Sequence, residues 1–223
     1  MTETRSDPNR HVRKFLGVCT DGLPFITIAV LATIFVSALW GYWGAPLALI
    51  SVWMVWFFRD PARTIPSDPS AVVSPADGKV IAICRVPYPR LLNGEATRVS
   101  IFMNVFNVHV NRVPFSGVVR NLSYNPGRFM VASHDKASLD NEQMAVVVDT
   151  PKGGPILFVQ IAGLVARRIV CRLREGESVE RGLRFGLIRF GSRCDVYLPD
   201  SVEVSVGVGD RSIAGQTVLG RFK

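Results

Sequence analysis

AVVVDTPKGGPILFVQIA, residues 145–162, holds two β-rich apolar runs, Ala145–Thr150 and Ile156–Ala162, on either side of a Pro- and Gly-rich break. β-Branched residues in short runs closed off by turn formers read as neighbouring strands. The same texture extends both ways along the chain. Lys79–Val86, Arg98–Phe102, Phe106–Val110 and Gly117–Ser123 precede it; Arg168–Leu173, Phe185–Phe190, Asp195–Leu198 and Glu203–Val208 follow. Ser133–Met144 alone has the look of a short helix. The expected fold over residues 76–223 is therefore mostly β (α+β): a compact sandwich or open barrel of short antiparallel strands.

Upstream the chain changes character. No Asp, Glu, Lys or Arg occurs from Gly22 to Phe58. Leu23–Trp40 and Leu47–Phe58 are continuous apolar runs, and Gly41, Gly44 and Pro46 between them mark a reversal. About 18 helical residues reach about 27 Å, close to the hydrocarbon thickness of a bilayer. Residues 22–58 thus read as a hydrophobic helical hairpin that anchors the chain, with a hairpin buried in a soluble core as the alternative. Residues 1–21 form a basic N-terminus, and residues 59–75, with four prolines, an extended linker. Arg5, Arg10, Arg13 and Lys14 before the hairpin and Arg59 and Arg63 after it place both flanks on the cytoplasmic face of the cell (inner) membrane.

The net charge of +8 from 26 Lys and Arg calls for an anionic partner. An aromatic RNA-binding sheet motif and a continuous basic helix are both missing, so nucleic acid is excluded in favour of an anionic phospholipid and the membrane itself. Cys19, Cys84, Cys171 and Cys194 are too dispersed for a zinc site or a disulfide framework, and no metal is expected. Cys194 reads as a small packing residue.

Four ordered blocks carry chemistry: RDPAR at 59–63, SPADGK at 74–79, FMNVFNVHVNR at 102–112 and FGLIRFGSRCDVYLP at 185–199. Together with DKAS at 135–138, Asn141-Glu142 and AGLVAR at 162–167, they resemble the phosphatidylserine decarboxylase family, in its short membrane-associated form, over residues 56–220. The resemblance implies conversion of phosphatidylserine to phosphatidylethanolamine and CO2. Loss of CO2 next to an amine leaves an electron pair that no side chain delocalises. A pyruvoyl carbonyl, joined to the substrate amine as a Schiff base, is an electron sink of the kind required.

Members of the family make that pyruvoyl group by cutting themselves at a Gly-Ser bond, and Gly191-Ser192 is the single Gly-Ser dipeptide in this chain. The serine hydroxyl attacks the preceding carbonyl, the resulting ester undergoes β-elimination, and the dehydroalanine left behind loses ammonia. The resemblance thus implies a β chain of residues 1–191 and an α chain of 192–223, associated as a heterodimer, with a homo-oligomer also compatible. It assigns His109 as the base and proton donor and Asp77 as the residue that orients it, in the manner of a protease triad. Read alone, Asp77 is a turn residue and His109 a packed imidazole. Arg112 stands where longer relatives carry a second histidine; Arg112, Arg193 and His134 are candidate substrate-binding residues. Two other readings account for the same residues: a membrane-tethered lipid-binding module with an uncut Gly191-Ser192 turn, and a lipid-acting serine hydrolase.

Overall fold

In the computed structural model the structure describes residues 12, 14–88, 92, 94–127, 141–152, 154–163, 168–189 and 192–223. The first apolar run forms helix α1 (Leu23–Trp40) and the second forms α2 (Ala45–Phe57), joined by a 3-10 turn over Gly41–Gly44. Each helix opens with a proline in its first turn, where the missing N–H costs nothing. The two pack as an antiparallel hairpin. Thr33 Oγ1 and Ser51 Oγ meet at 3.0 Å between them, and Gly44 lies so close to Ser37 that a Cβ would not fit. Both hydroxyls also bond carbonyls four residues back, so no polar group of the pair is left facing outward unsatisfied. Most of the remaining hairpin surface is exposed Ile, Leu, Val, Phe and Trp.

The described residues form sixteen strands, numbered in chain order. β1 (Lys14–Phe15) and β2 (Val18–Cys19) form a small ribbon before α1. The longer strands are β4 (Gly78–Pro87), β5 (Glu95–Met103), β7 (Gly117–Asn125), β8 (Gln143–Thr150), β9 (Gly154–Ala162) and β13 (Ser192–Leu198). The shorter ones are β3 (Ala71–Val73), β6 (Val110–Arg112), β10 (Ile169–Cys171), β11 (Ser178–Val179), β12 (Arg184–Ile188), β14 (Val202–Val204), β15 (Arg211–Ser212) and β16 (Val218–Phe222). An antiparallel eight-stranded sheet runs β11-β7-β8-β9-β13-β5-β4-β15 and curls into a half-barrel. Two three-stranded sheets, β10-β12-β6 and β14-β16-β3, complete the domain. Its main core joins Val80, Val99, Ile101, Val146, Phe158 and Val196 of the large sheet to Phe185, Ile188 and Leu219 of the small ones.

The mostly β expectation holds, and several local expectations change. Phe106–Val110 is not a strand until its last residue. Asn104 Oδ1 accepts from Phe106 N and Asn107 Oδ1 from Asn104 N, so two Asn side chains wind this stretch into a turn. Of the expected helix Ser133–Met144, residues 133–140 lie outside the described residues, and Gln143 and Met144 belong to β8. Glu203–Val208 shortens to Val202–Val204, and Ala71–Val73, inside the expected linker, is a fully buried strand. The rest of that linker is also packed against the domain: a Cβ at Gly182 would collide with Ile65.

Candidate active site

Ser192 opens β13 and is fully buried. It pairs with Met103 of β5 on one side and Ala162 of β9 on the other. Side chains alternate along a strand, and Cys194, Val196 and Leu198 all enter the main core, so Ser192 shares that inner face. Its Oγ has one contact among the described residues, Met103 Sδ at 3.9 Å, a weak acceptor that leaves the hydroxyl free for other work. Gly191 and His134 lie outside the described residues. Cys194 is a packing residue; burial pushes its thiol well above the ordinary range.

Asn111 and Gln160, which the sequence reading assigned no role, complete this buried corner. Both are fully buried. Asn111 Nδ2 lies 3.7 Å from the same Met103 sulfur and 3.4 Å from the Pro75 carbonyl, while Asn111 Oδ1 accepts from Gln160 Nε2 at 2.8 Å. Gln160 Oε1 has no hydrogen-bond partner among the described residues. An amide in the middle of an apolar strand run was the available signal, since such groups are seldom buried without a use.

His109 sits just before β6 and is 1% exposed. Its Nδ1 is 3.0 Å from the Asn107 carbonyl, which can only accept, so the ring carries its proton on Nδ1. Nε2 is buried with no hydrogen-bond partner among the described residues. The imidazole stacks on Phe57, the last residue of α2, with ring centroids 4.3 Å apart. Burial lowers its pKa to about 4; the Asn107 hydrogen bond opposes the shift and the Arg59 charge adds to it. The ring is therefore neutral at physiological pH, with an unshared pair on Nε2 available to take a proton.

Asp77 lines a pocket that Asn107 also borders. Its Oδ2 accepts from Arg63 at 2.7 Å and its Oδ1 from the Ala214 N–H at 2.8 Å. Among the described residues, the hydrogen bond on His109 Nδ1 goes to the Asn107 carbonyl. Arg112 and Arg184 are cross-strand neighbours on β6 and β12 and share Asp60, which is 1% exposed. Arg112 reaches Asp60 Oδ1 at 3.4 Å and the Gly182 and Pro61 carbonyls; Arg184 Nε lies 2.6 Å from Asp60 Oδ2. Desolvation lowers the pKa of Arg112 to about 10, Arg184 adds to the fall and Asp60 opposes it. Its charge is thus answered inside the fold. Arg193 is likewise internal, on the opposite face from Ser192, in a buried fork-like pair with Asp195 at 2.6 and 2.7 Å. Both arginines, candidate substrate-binding residues, have protein partners.

The base of the hairpin belongs to the same region. Phe57 and Phe58 pack with Cys19, Val108, Val110 and Leu187 in a second small core. Arg59, just beyond α2, donates to the Phe106 carbonyl at 2.9 Å, in the turn that supplies the Asn107 carbonyl.

A family model for phosphatidylserine decarboxylase matches residues 50–220. Among curated proteins, the phosphatidylserine decarboxylase proenzyme of Pelobacter propionicus is 50% identical over 213 residues, covering 92% of this chain and 96% of its own. The proenzyme of the same name from Paramagnetospirillum magneticum is 51% identical over 89% of this chain and 84% of its own. That of Nitrosomonas eutropha is 48% identical, over 92% and 95%.

Proposed function

The chain belongs to the phosphatidylserine decarboxylase family, and we propose that it decarboxylates phosphatidylserine through a pyruvoyl group made from its own Ser192 by cleavage of the Gly191–Ser192 bond. The observation that carries this reading is the fully buried, nearly unpartnered hydroxyl of Ser192 at the head of a central strand. Most buried hydroxyls are hydrogen-bonded, so one held only by a sulfur at a strand end is a candidate for another use. The corner fits a small carbonyl group: its walls are uncharged, and Asn111 Nδ2, held only by a sulfur and a long contact to a carbonyl, is a donor beside it.

In self-cleavage the Ser192 Oγ adds to the Gly191 carbonyl while His109 Nε2 takes the hydroxyl proton. The peptide nitrogen leaves and an ester links the two residues. Elimination then releases Gly191 as a carboxylate, and addition of water with loss of ammonia leaves the carbonyl-bearing end at residue 192. A carbonyl at residue 192 would supply an electron sink for the pair left by CO2, in the corner lined by Asn111 and Gln160. His109, neutral and oriented by Asn107, can hold the proton it collected and return one to the substrate carbon. Asn111 and Gln160 fix the corner sterically and exclude bulk water.

After the cut, residues 192–223 contribute β13 at the centre of the large sheet, plus β14, β15 and β16. This supports an α/β heterodimer that persists without a covalent link. The exposed apolar surface of the hairpin supports membrane anchoring, and the positive flanks support the cytoplasmic face. Helix α2, with 13 residues, reaches about 20 Å, less than a bilayer's hydrocarbon core. The hairpin is accordingly read as entering the membrane with the site held at its surface.

Mass analysis under denaturing conditions tests the cleavage. Two fragments are expected, the smaller starting at residue 192 and reactive toward carbonyl reagents, and Ser192→Ala should give one inactive full-length chain. An active uncut chain would refute the pyruvoyl reading. If that chain were also labelled by a serine-directed phosphonate, the hydrolase reading would replace it.

A further inference from the structure

A pocket of about 660 Å³ opens at the end of the large sheet where β13 begins, and Lys79, Arg211, Phe102, Phe106, Asn107 and Asp77 are among its lining residues. Lys79 of β4 and Arg211 of β15 are directly paired across the strands. Two like charges in that position repel and weaken a sheet. Neither has an ion-pair or hydrogen-bond partner among the described residues. Two carboxylates close in sequence are already engaged, Asp77 by Arg63 and the Ala214 N–H, Asp210 by the Gly207 N–H. The two cations therefore leave a site of positive charge that an external anion would relieve.

Its surroundings narrow the anion. Phe106 is 64% exposed at the pocket wall, and its carbonyl holds Arg59, two residues beyond the end of α2. Asn107, in the same wall, supplies the carbonyl that orients His109. Lys79 pairs with Phe102, and Phe102 with Arg193, so the Lys79 backbone lies two strand spacings, about 10 Å, from the residue after Ser192, with Lys79, like Arg193, on the other face of the sheet from the Ser192 side chain. A pocket with paired cations, an exposed aromatic ring, the base of the hairpin on one side and the start of β13 on the other suits an amphiphile with a phosphate.

We propose that Lys79 and Arg211 seat the phosphate of the phospholipid substrate, with Phe106 against the apolar part of the same molecule. The proposal rests on the decarboxylase reading given above and adds to it the recognition of the headgroup. The pair acts in binding and does not touch the bond that breaks.

The test replaces both cations, Lys79→Gln with Arg211→Gln, in the full chain. Loss of charge-assisted contacts should raise KM for phosphatidylserine in mixed micelles about ten- to a hundredfold, with kcat nearly unchanged and the chain still cut. An unchanged KM overturns the proposal, as does an equal rise in a control that removes two remote charges, Arg85→Gln with Lys152→Gln. Calorimetry with glycerophosphoserine, in a Ser192→Ala background, reads the seat whether or not cleavage occurs. Weaker binding in the double variant supports it, and equal binding sinks it. Inorganic phosphate binding the wild type as tightly as glycerophosphoserine would assign the seat to free phosphate and remove it from the lipid. An uncut, inactive wild-type chain would count against the decarboxylase reading while leaving the calorimetric result interpretable.

Discussion

His109 owes its character to neighbours that are distant in sequence. A histidine in water titrates near 6.5; here burial, with the ring stacked on Phe57, moves it to about 4. Arg59 is the charged group acting on it, since Asp60 is held by Arg112 and Arg184, and Asp21 by Arg172. The self-cleavage rate should therefore stay level as pH falls through 6.5 and decline only near 4; a half-loss near 6.5 in the pH–rate profile would contradict the buried geometry. The same shift has a stability sign. The unfolded chain takes up a proton on this histidine before the folded chain does, so its contribution is complete above 6.5 and is lost as pH falls toward 4. Phe57→Ala should cost about 3–5 kcal/mol through the cavity it leaves and move the acid limb of the rate profile upward. Phe57→Leu should restore most of the stability, and the position of its acid limb reads how much of the shift comes from the ring face. His109→Ala should block processing.

At the scale of elements, the stretch after α2 behaves as a clamp. Asp60 fixes it to β6 and β12 through Arg112 and Arg184, Arg63 fixes it to Asp77, and Arg59 to the turn at 104–107. Removing one member of a buried charge group strands the others, so Asp60→Asn should destabilise the fold by about 3–5 kcal/mol, read from denaturant unfolding. Its effect should exceed that of Asp149→Asn, whose partner Arg120 is exposed and whose pairing is worth about 1 kcal/mol or less. The proline count made an extended linker legible here. Its docking was not, because nothing in the local pattern says that Arg112 and Arg184 stand together with no counter-charge of their own.

For the whole molecule, a central strand delivered by the small fragment predicts that the two products elute together from a sizing column and separate only in denaturant; separation under native conditions would contradict the sheet order. Leu31, 59% exposed on α1, touches neither core. Leu31→Asp should sharply reduce recovery with membranes in a flotation assay while leaving processing intact, because a carboxylate at a lipid-facing position costs about 3 kcal/mol. Much of this organisation was legible in the chain itself. Continuous apolar runs without charge marked the hairpin, β-rich runs between turn formers marked the strand texture, and ordered blocks around the single Gly-Ser dipeptide marked the family and the bond proposed to react. Those are local signals, carried by residues adjacent in sequence. The partners of Asp77, Arg112 and Arg193, the ring that covers His109, the amides beside Ser192 and the cation pair at the pocket were decided only by tertiary structure. Each depends on strands and helix ends that meet from far apart, and a buried charge or imidazole takes its chemistry from whatever that packing sets against it.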